Sequence, residues 1–350
     1  MTKKKKVSYL INAVGILAVF GLFLLVFQSG VLGDRTQYIK GICTTACYTI
    51  IMVASLNLLV GFMGEFSLGH AGFMSVGAYA SAIVTNVLYQ YVIPDGVLFI
   101  IALLVGGVAA AIAGVLVGIP ALRLRGDYLA IVTVAFAEII RVAFCNFSIT
   151  GSGRTMSGIA KLSNFYWCYW AMVLCLVFMF MYTRSRFGRT VVAIREDYIA
   201  ASTSGINVTF YKVLNFAISA FFAGVGGAMY AHYMTAMIPT NFNFNYSAEM
   251  LTEVIIGGTG SLTGSIIGAA FLSSLPELMR QFANYRMLAY SIVLVLVMIF
   301  KPGGIFGKWE FSLTRVLTKI KDFFNNPSRK GNRKEETADG QRKYSSTENA

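Results

Sequence analysis

The sequence predicts an all-α polytopic membrane protein with about eight to ten membrane-crossing helices, some of them broken by glycine. Composition is the first reason: 56% of the residues are hydrophobic and 13% charged, a balance foreign to soluble domains. The second is the alternation of long apolar runs with short polar loops, since about 20 apolar residues are needed to cross hydrocarbon as a helix. The third is charge. Much of the net +13 sits in Lys3 to Lys6, in the loops and in the C-terminal tail, where few aromatic residues are interleaved. That is the cytoplasmic bias of a chain bathed in lipid, and nucleic-acid binding is not needed to explain it. The five cysteines form no C-x-x-C pair and fall within or at the ends of apolar runs, so they read as small packing residues.

The first apolar run, about Val7 to Phe27, follows four lysines and is long enough to span. Gln28-Ser29-Gly30 is a poor cleavage site, so the run is expected to stay as a span with its N-terminus inside. Residues 1–36 thus form an N-terminal span and a first external loop. The second run, about Ile39 to Val60, returns inward and enters a glycine-rich block containing Gly61, Gly64, Gly69 and Gly72. Glycines so close together predict a broken helix and close backbone approach. Glu65 and His70 stand in this otherwise apolar block, where each must face protein or water.

A span of about His70 to Leu88 leads outward, Pro94-Asp95-Gly96 turns the chain, and Val97 to about Ile119 returns it to Arg123 and Arg125. The next span begins near Asp127. A helix from there carries Glu138 about 16 Å inward, near mid-bilayer, with Arg141 three residues on and on the same face. At that depth the two charges are expected to be buried and to neutralise something, most simply each other. Asn146 to Asn164 is expected to be an external loop, followed by a span of about Tyr166 to Tyr182.

Arg184 to Lys212 is too polar for hydrocarbon, and its arginines place it on the cytoplasmic side. Val191, Ile194, Tyr198 and Ile199 suggest one short amphipathic helix over Thr190 to Ser204, stopped by Gly205. Such a helix is either part of an ordinary connection or a docking surface. The span from Val213 to about Met237 carries a stripe of small residues, Ala220, Ala223, Gly224, Gly226, Gly227, Ala228 and Ala231, suited to close helix approach. His232 near its outer end is expected to be interfacial. Ser247 to Ser274 is interrupted at Gly257, Gly258, Gly260 and Gly264, which predicts two short helices around a kink, with Glu249 and Glu253 near the outer entrance. Ser-Leu followed by Gly-Ala occurs both here and after Gly64, a faint internal repeat. A last span, about Leu288 to Phe300, ends at Lys301-Pro302-Gly303-Gly304, and the tail 308–350 is polar and expected to be disordered and cytoplasmic.

Several blocks resemble a known family. Gly61 with Ser67-Leu68-Gly69-His70-Ala71, Phe73 and Gly77-Ala78-Tyr79 is similar to a signature of ABC-importer permeases for branched-chain amino acids. Leu122 to Ala130, Glu138-Ile139-Ile140-Arg141 and the Lys301–Gly307 turn resemble the same family. In the loop, Arg195-Glu196, Ala200-Ala201, Gly205 and Asn207 resemble its Glu-Ala-Ala…Gly coupling motif, which in that family inserts into a groove on an ATPase. The resemblance covers roughly residues 37–307 and implies a permease of the bacterial cytoplasmic membrane, with both termini inside. It implies as partners a second homologous permease, two ATP-binding subunits and an extracytoplasmic substrate-binding protein. By the same resemblance, Gly61, Glu65, Ser67, Gly69, His70, Gly72, Glu138, Arg141, Gly257, Gly258, Gly260 and Gly264 are candidates for the translocation path. For most of these a helix-packing role is the alternative, and Glu138–Arg141 is either a fixed pair or a gate. The external loop reads Thr150-Gly151-Ser152-Gly153, unlike the Thr-Gly-Gly-Pro turn common in the family.

Sites for catalysis are missing from the pattern. Gly307-Lys308 comes nearest to a Walker A end, but Pro302 occupies the first glycine's place and Trp309 the hydroxyl's. The two histidines are isolated, so no metal site is expected, no cofactor is expected on this chain, and ATP belongs to the partners. A urea or short-amide permease would look much alike. An ion-coupled secondary transporter, using Glu65, Glu138 and Arg141 as a charge relay, is the rival from another class.

Overall fold

The computed structural model describes residue 21, residues 36–91, 93–124, 126–147, 150 and 155–278, and isolated positions between 291 and 300. The expected first and last spans fall almost wholly outside these residues, and the tail from Lys308 entirely so. Among the described residues six helices are long and apolar enough to cross a membrane. They are α1 (Thr36–Asn57) with a π-helical extension Leu58–Met63, α2 (His70–Leu88), α3 (Asp95–Ala121), α4 (Asp127–Asn146), α5 (Phe165–Arg184) and α8 (Val208–Met234). Between α5 and α8 lie the short helices α6 (Arg186–Glu196) and α7 (Tyr198–Thr203). After α8 come α9 (Phe244–Gly257) and α10 (Leu262–Leu278). The all-α class is as the sequence predicts.

The small-residue stripe on α8 organises the bundle. Helix α8 packs on both α2 and α3, and glycines meet where it does so. A Cβ added at Gly77 of α2 would lie 2.3 Å from the Gly224 Cα, and one at Gly227 would lie 2.1 Å from the Met74 carbonyl oxygen. Helix backbones this close gain dispersion contacts that larger side chains would forbid. Around the crossing, Tyr79, Phe216, Met52, Leu56 and Met74 are fully buried.

Two expectations about this region need correction. His232 is buried inside the bundle rather than interfacial, with Thr85 Oγ1 3.3 Å from its Nε2 and the Ala160 carbonyl 3.0 Å from its Nδ1. Residues 156–163 fold back over that end of α8, so the histidine has protein on both sides. β1 (Met156–Ser157) pairs antiparallel with β2 (Ala236–Met237), and Ser163 donates to the Met229 carbonyl. The expected single helix over Thr190 to Ser204 is instead two. Asp197 leaves the helical conformation, and its carboxylate accepts from the amides of Ile199 and Ala200 at 2.9 and 3.0 Å. An aspartate that caps a new helix cannot continue the old one.

The broken element after α8 is two helices, as expected, and the chain reverses between them where a kink was expected. α9 and α10 pack against each other as a hairpin whose closest point is glycine on glycine: a Cβ at Gly257 would lie 2.6 Å from the Gly264 carbonyl oxygen. Gly258 and Gly260 take positive φ, of 116° and 84°, which lets the chain reverse between the two helices.

Candidate functional site

The loop between α5 and α8 is built on a small core of its own. Ile194, Ala201 and Val208 are buried together, with Ile206 and Tyr211 against them. Each helix start is capped by a polar side chain: Ser185 accepts from Gly188 N, Asp197 starts α7, and Asn207 accepts from Phe210 N at 3.1 Å. Gly205, at φ 81°, ends α7. What remains outward is a compact ridge. Glu196 is 65% exposed and Ile199 71%, with Ala200 and Asn207 exposed beside them. Ala201 faces inward.

Directly beneath the ridge both glycine breaks meet. Asn57, the last residue of α1, is fully buried and holds the turn between α9 and α10 from two sides. Its Nδ2 donates to the Ser261 carbonyl at 3.0 Å and to Ser265 Oγ at 2.6 Å, while its Oδ1 accepts from Gly260 N at 2.9 Å. Gly61 lies against the same turn, so that a Cβ there would sit 2.2 Å from Gly260 N. A π-turn that runs into extended chain strands backbone carbonyls away from water, and side chains from α6 and α8 answer them. Asn215 of α8 donates to the Leu58 carbonyl at 2.9 Å, and Arg195 of α6 donates to the Gly61 carbonyl. Lys212 and Glu65 pair close by, both largely buried. Away from that break, Ser247 in the first turn of α9 accepts from Ala71 N, at the open start of α2.

The family model described as "branched-chain amino acid transport system / permease component" matches residues 38–301. The chain belongs to that family. It is 35% identical over 315 residues to the high-affinity branched-chain amino acid transport system permease protein LivM of Salmonella typhimurium, which covers 80% of this chain and 71% of that one. LivM of Escherichia coli is 34% identical, with 80% and 72% covered. LivH of Escherichia coli, the permease named with LivM for the same system, is 24% identical over 296 residues, covering 78% of this chain and 96% of LivH.

The sequence-predicted site residues lie in several separate places. Gly61, Gly257, Gly258, Gly260 and Gly264 belong to the junction below the ridge, and Arg195 reaches into it. Gly69 and Gly72 pack instead on α4, where a Cβ at either would press on Thr133 or Ala137. His70 is fully buried with Ser55 Oγ 2.7 Å from its Nε2, and Ser67 is buried beside it. Glu65 stands at the loop end with Lys212.

Glu138 and Arg141 do pair, with Arg141 Nε 2.9 Å from Glu138 Oε1, but the expectation that this chain buries them fails. The side chains are 48% and 22% exposed on the outward face of α4. Helix α4 packs through a narrow stripe centred on Leu129 and Thr133, which leaves positions 138 and 141 pointing away. Glu65 and Glu138 therefore answer different partners and do not line up as one relay.

The residues that sequence reasoning passed over are Asn57 and Asn215. Each is a lone amide in an apolar run, and that isolation is a signal, because an unsatisfied amide in hydrocarbon is costly.

Proposed function

We propose that the permease forms, with a second homologous permease, the membrane path for branched-chain amino acids, driven by ATP hydrolysed on two separate subunits. No ATP or other cofactor is held by this chain in that scheme. An extracytoplasmic binding protein delivers substrate, the membrane is the bacterial cytoplasmic one, and the loop and both termini face inside. The observation that carries this reading is the position of the exposed α6–α7 ridge directly over the junction of the two broken elements. A solvent-facing ridge tied to the middle of a bundle is what an ATPase needs to move a path it does not line. Sequence kinship to both LivM and LivH supports a second permease and the class of substrate.

The test of substrate is uptake of labelled leucine, urea and a small amide by cells carrying the complete operon, with and without this gene. Gene-dependent leucine uptake is expected. Urea uptake without leucine uptake would replace the substrate and leave the coupling reading in place. The test of docking is Glu196→Arg, which reverses the charge of an exposed ionic group on the ridge. The variant should insert normally, copurify poorly with the ATP-binding subunits and lose most uptake. Wild-type copurification and uptake in that variant would remove the ridge as the docking surface.

A further inference from the structure

Arg195, in the loop between α5 and α8, turns part of its side chain into the bundle. Arg195 stands next to Glu196, at the edge of the buried stripe formed by Val191 and Ile194. Its stem lies along Gly64, where a Cβ would come within 2.5 Å of Arg195 Cγ, and Gly64 has the positive φ of 75° that few other residues tolerate. One arm of its guanidinium, Nη1, donates to the Gly61 carbonyl and would stand 3.5 Å from a Cβ at Gly260. The other arm, Nη2, pairs with the Glu196 carboxylate at 2.5 Å. One rigid planar group thus joins the exposed end of α6 to the point where α1 and the α9–α10 turn touch.

We propose that Arg195 is an internal strut, not a docking residue: it transmits displacement of the ridge to the Gly61–Gly260 junction and so opens or closes the path. The inference rests on the reading that the ridge docks an ATPase. A partner cation that takes the Glu196 carboxylate would loosen the Nη2 pair and leave Nη1 on Gly61 alone. A partner that presses on α6 would push the Gly61 carbonyl, and with it Gly260 and Asn57, as one body. Lysine cannot do both jobs, because a single ammonium lacks the fixed fork that reaches two acceptors in opposite directions. Lys212–Glu65 and Asn215–Leu58 brace the same π-turn from α8, so the turn stays formed when the strut is cut.

The experiment uses the complete importer in proteoliposomes, with copurification of the ATP-binding subunits, ATP hydrolysis and leucine uptake measured on one preparation. Arg195→Gln should keep the ATP-binding subunits and basal hydrolysis, while leucine moved per ATP falls about tenfold or more, the scale of one lost charge-assisted hydrogen bond. The concentration of leucine giving half-maximal uptake should not change. Arg195→Lys should fall between Arg195→Gln and wild type in the same ratio, and it decides the matter if the glutamine variant fails to insert. Loss of the ATP-binding subunits from Arg195→Gln would make Arg195 a docking residue and overturn the strut. A wild-type ratio in either variant would do the same. If the unaltered permease fails to copurify with any ATP-binding subunit, the docking reading falls, and with it the strut.

Discussion

Asn57→Leu is expected to be the most damaging single change in the described part of the permease. Leucine keeps the branch of asparagine but is larger, and its methyl groups cannot occupy contacts of 2.6–3.0 Å, so crowding adds to the polar loss. Three groups lose their partner at once: the Gly260 amide, the Ser261 carbonyl and the Ser265 hydroxyl. Ser265 retains its bond to the Ser261 carbonyl, which softens the loss for that pair. The amide of Gly260 has no such fallback. A buried group left unsatisfied costs about 1–3 kcal/mol, so the whole substitution should cost about 2–5 kcal/mol. Asn57→Asp should fare no better, because a carboxylate keeps the Gly260 bond but faces the Ser261 carbonyl oxygen with no proton to offer. The measurement is the thermal midpoint of the detergent-solubilised permease, followed by gel filtration with fluorescence detection. Ser265→Ala, losing a single partner, is the control and should shift the midpoint by a fraction of the Asn57→Leu shift. Equal midpoints for Asn57→Leu and wild type would mean that the two broken elements are joined by something other than this amide.

The contrast between Asn57 and its surroundings shows where the sequence is readable. Span positions follow from apolar length alone, and the breaks at Gly61–Gly72 and Gly257–Gly264 follow from glycine clustering, because both signals are local. The Glu138–Arg141 pair is equally local, three residues apart on one helix. The meeting of Asn57 with Gly260 is not: about 200 residues separate them, and nothing in either run names the other. Arg195 is an intermediate case. Amphipathic spacing places Val191 and Ile194 inward but leaves position 195 at the boundary, and its inward turn depends on Gly64 having no side chain in the way. The break at Asp197 was readable in principle, since an aspartate before a run of helix formers is a start signal, and the apolar spacing across it pointed to a single helix instead. The outward face of α4 was not, because a helix in lipid and a helix against a partner subunit carry the same apolar pattern.

Neutralising Glu138 or Arg141 alone is expected to harm the permease, and neutralising both is expected to repair much of that harm. The pair sits on the outward face of a membrane-crossing helix, about 16 Å along it from Asp127. Each charge there is tolerable only because the other accompanies it. Glu138→Gln leaves a guanidinium, and Arg141→Gln leaves a carboxylate, in a medium where a lone charge at mid-helix costs about 2.5–3.5 kcal/mol of insertion. Pairing two opposite charges removes most of that penalty, so breaking the pair is worse than never having built it. Glu138→Gln with Arg141→Gln replaces the ion pair by two amides able to bond each other across one helical turn. Membrane abundance of a fluorescent fusion, measured for the two single variants, the double variant and wild type, closes the cycle. The double variant should exceed both singles. A double variant no better than the worse single would mean that the charges answer separate groups, and a gating or substrate-contacting role for the outward face of α4 would take the place of a fixed pair.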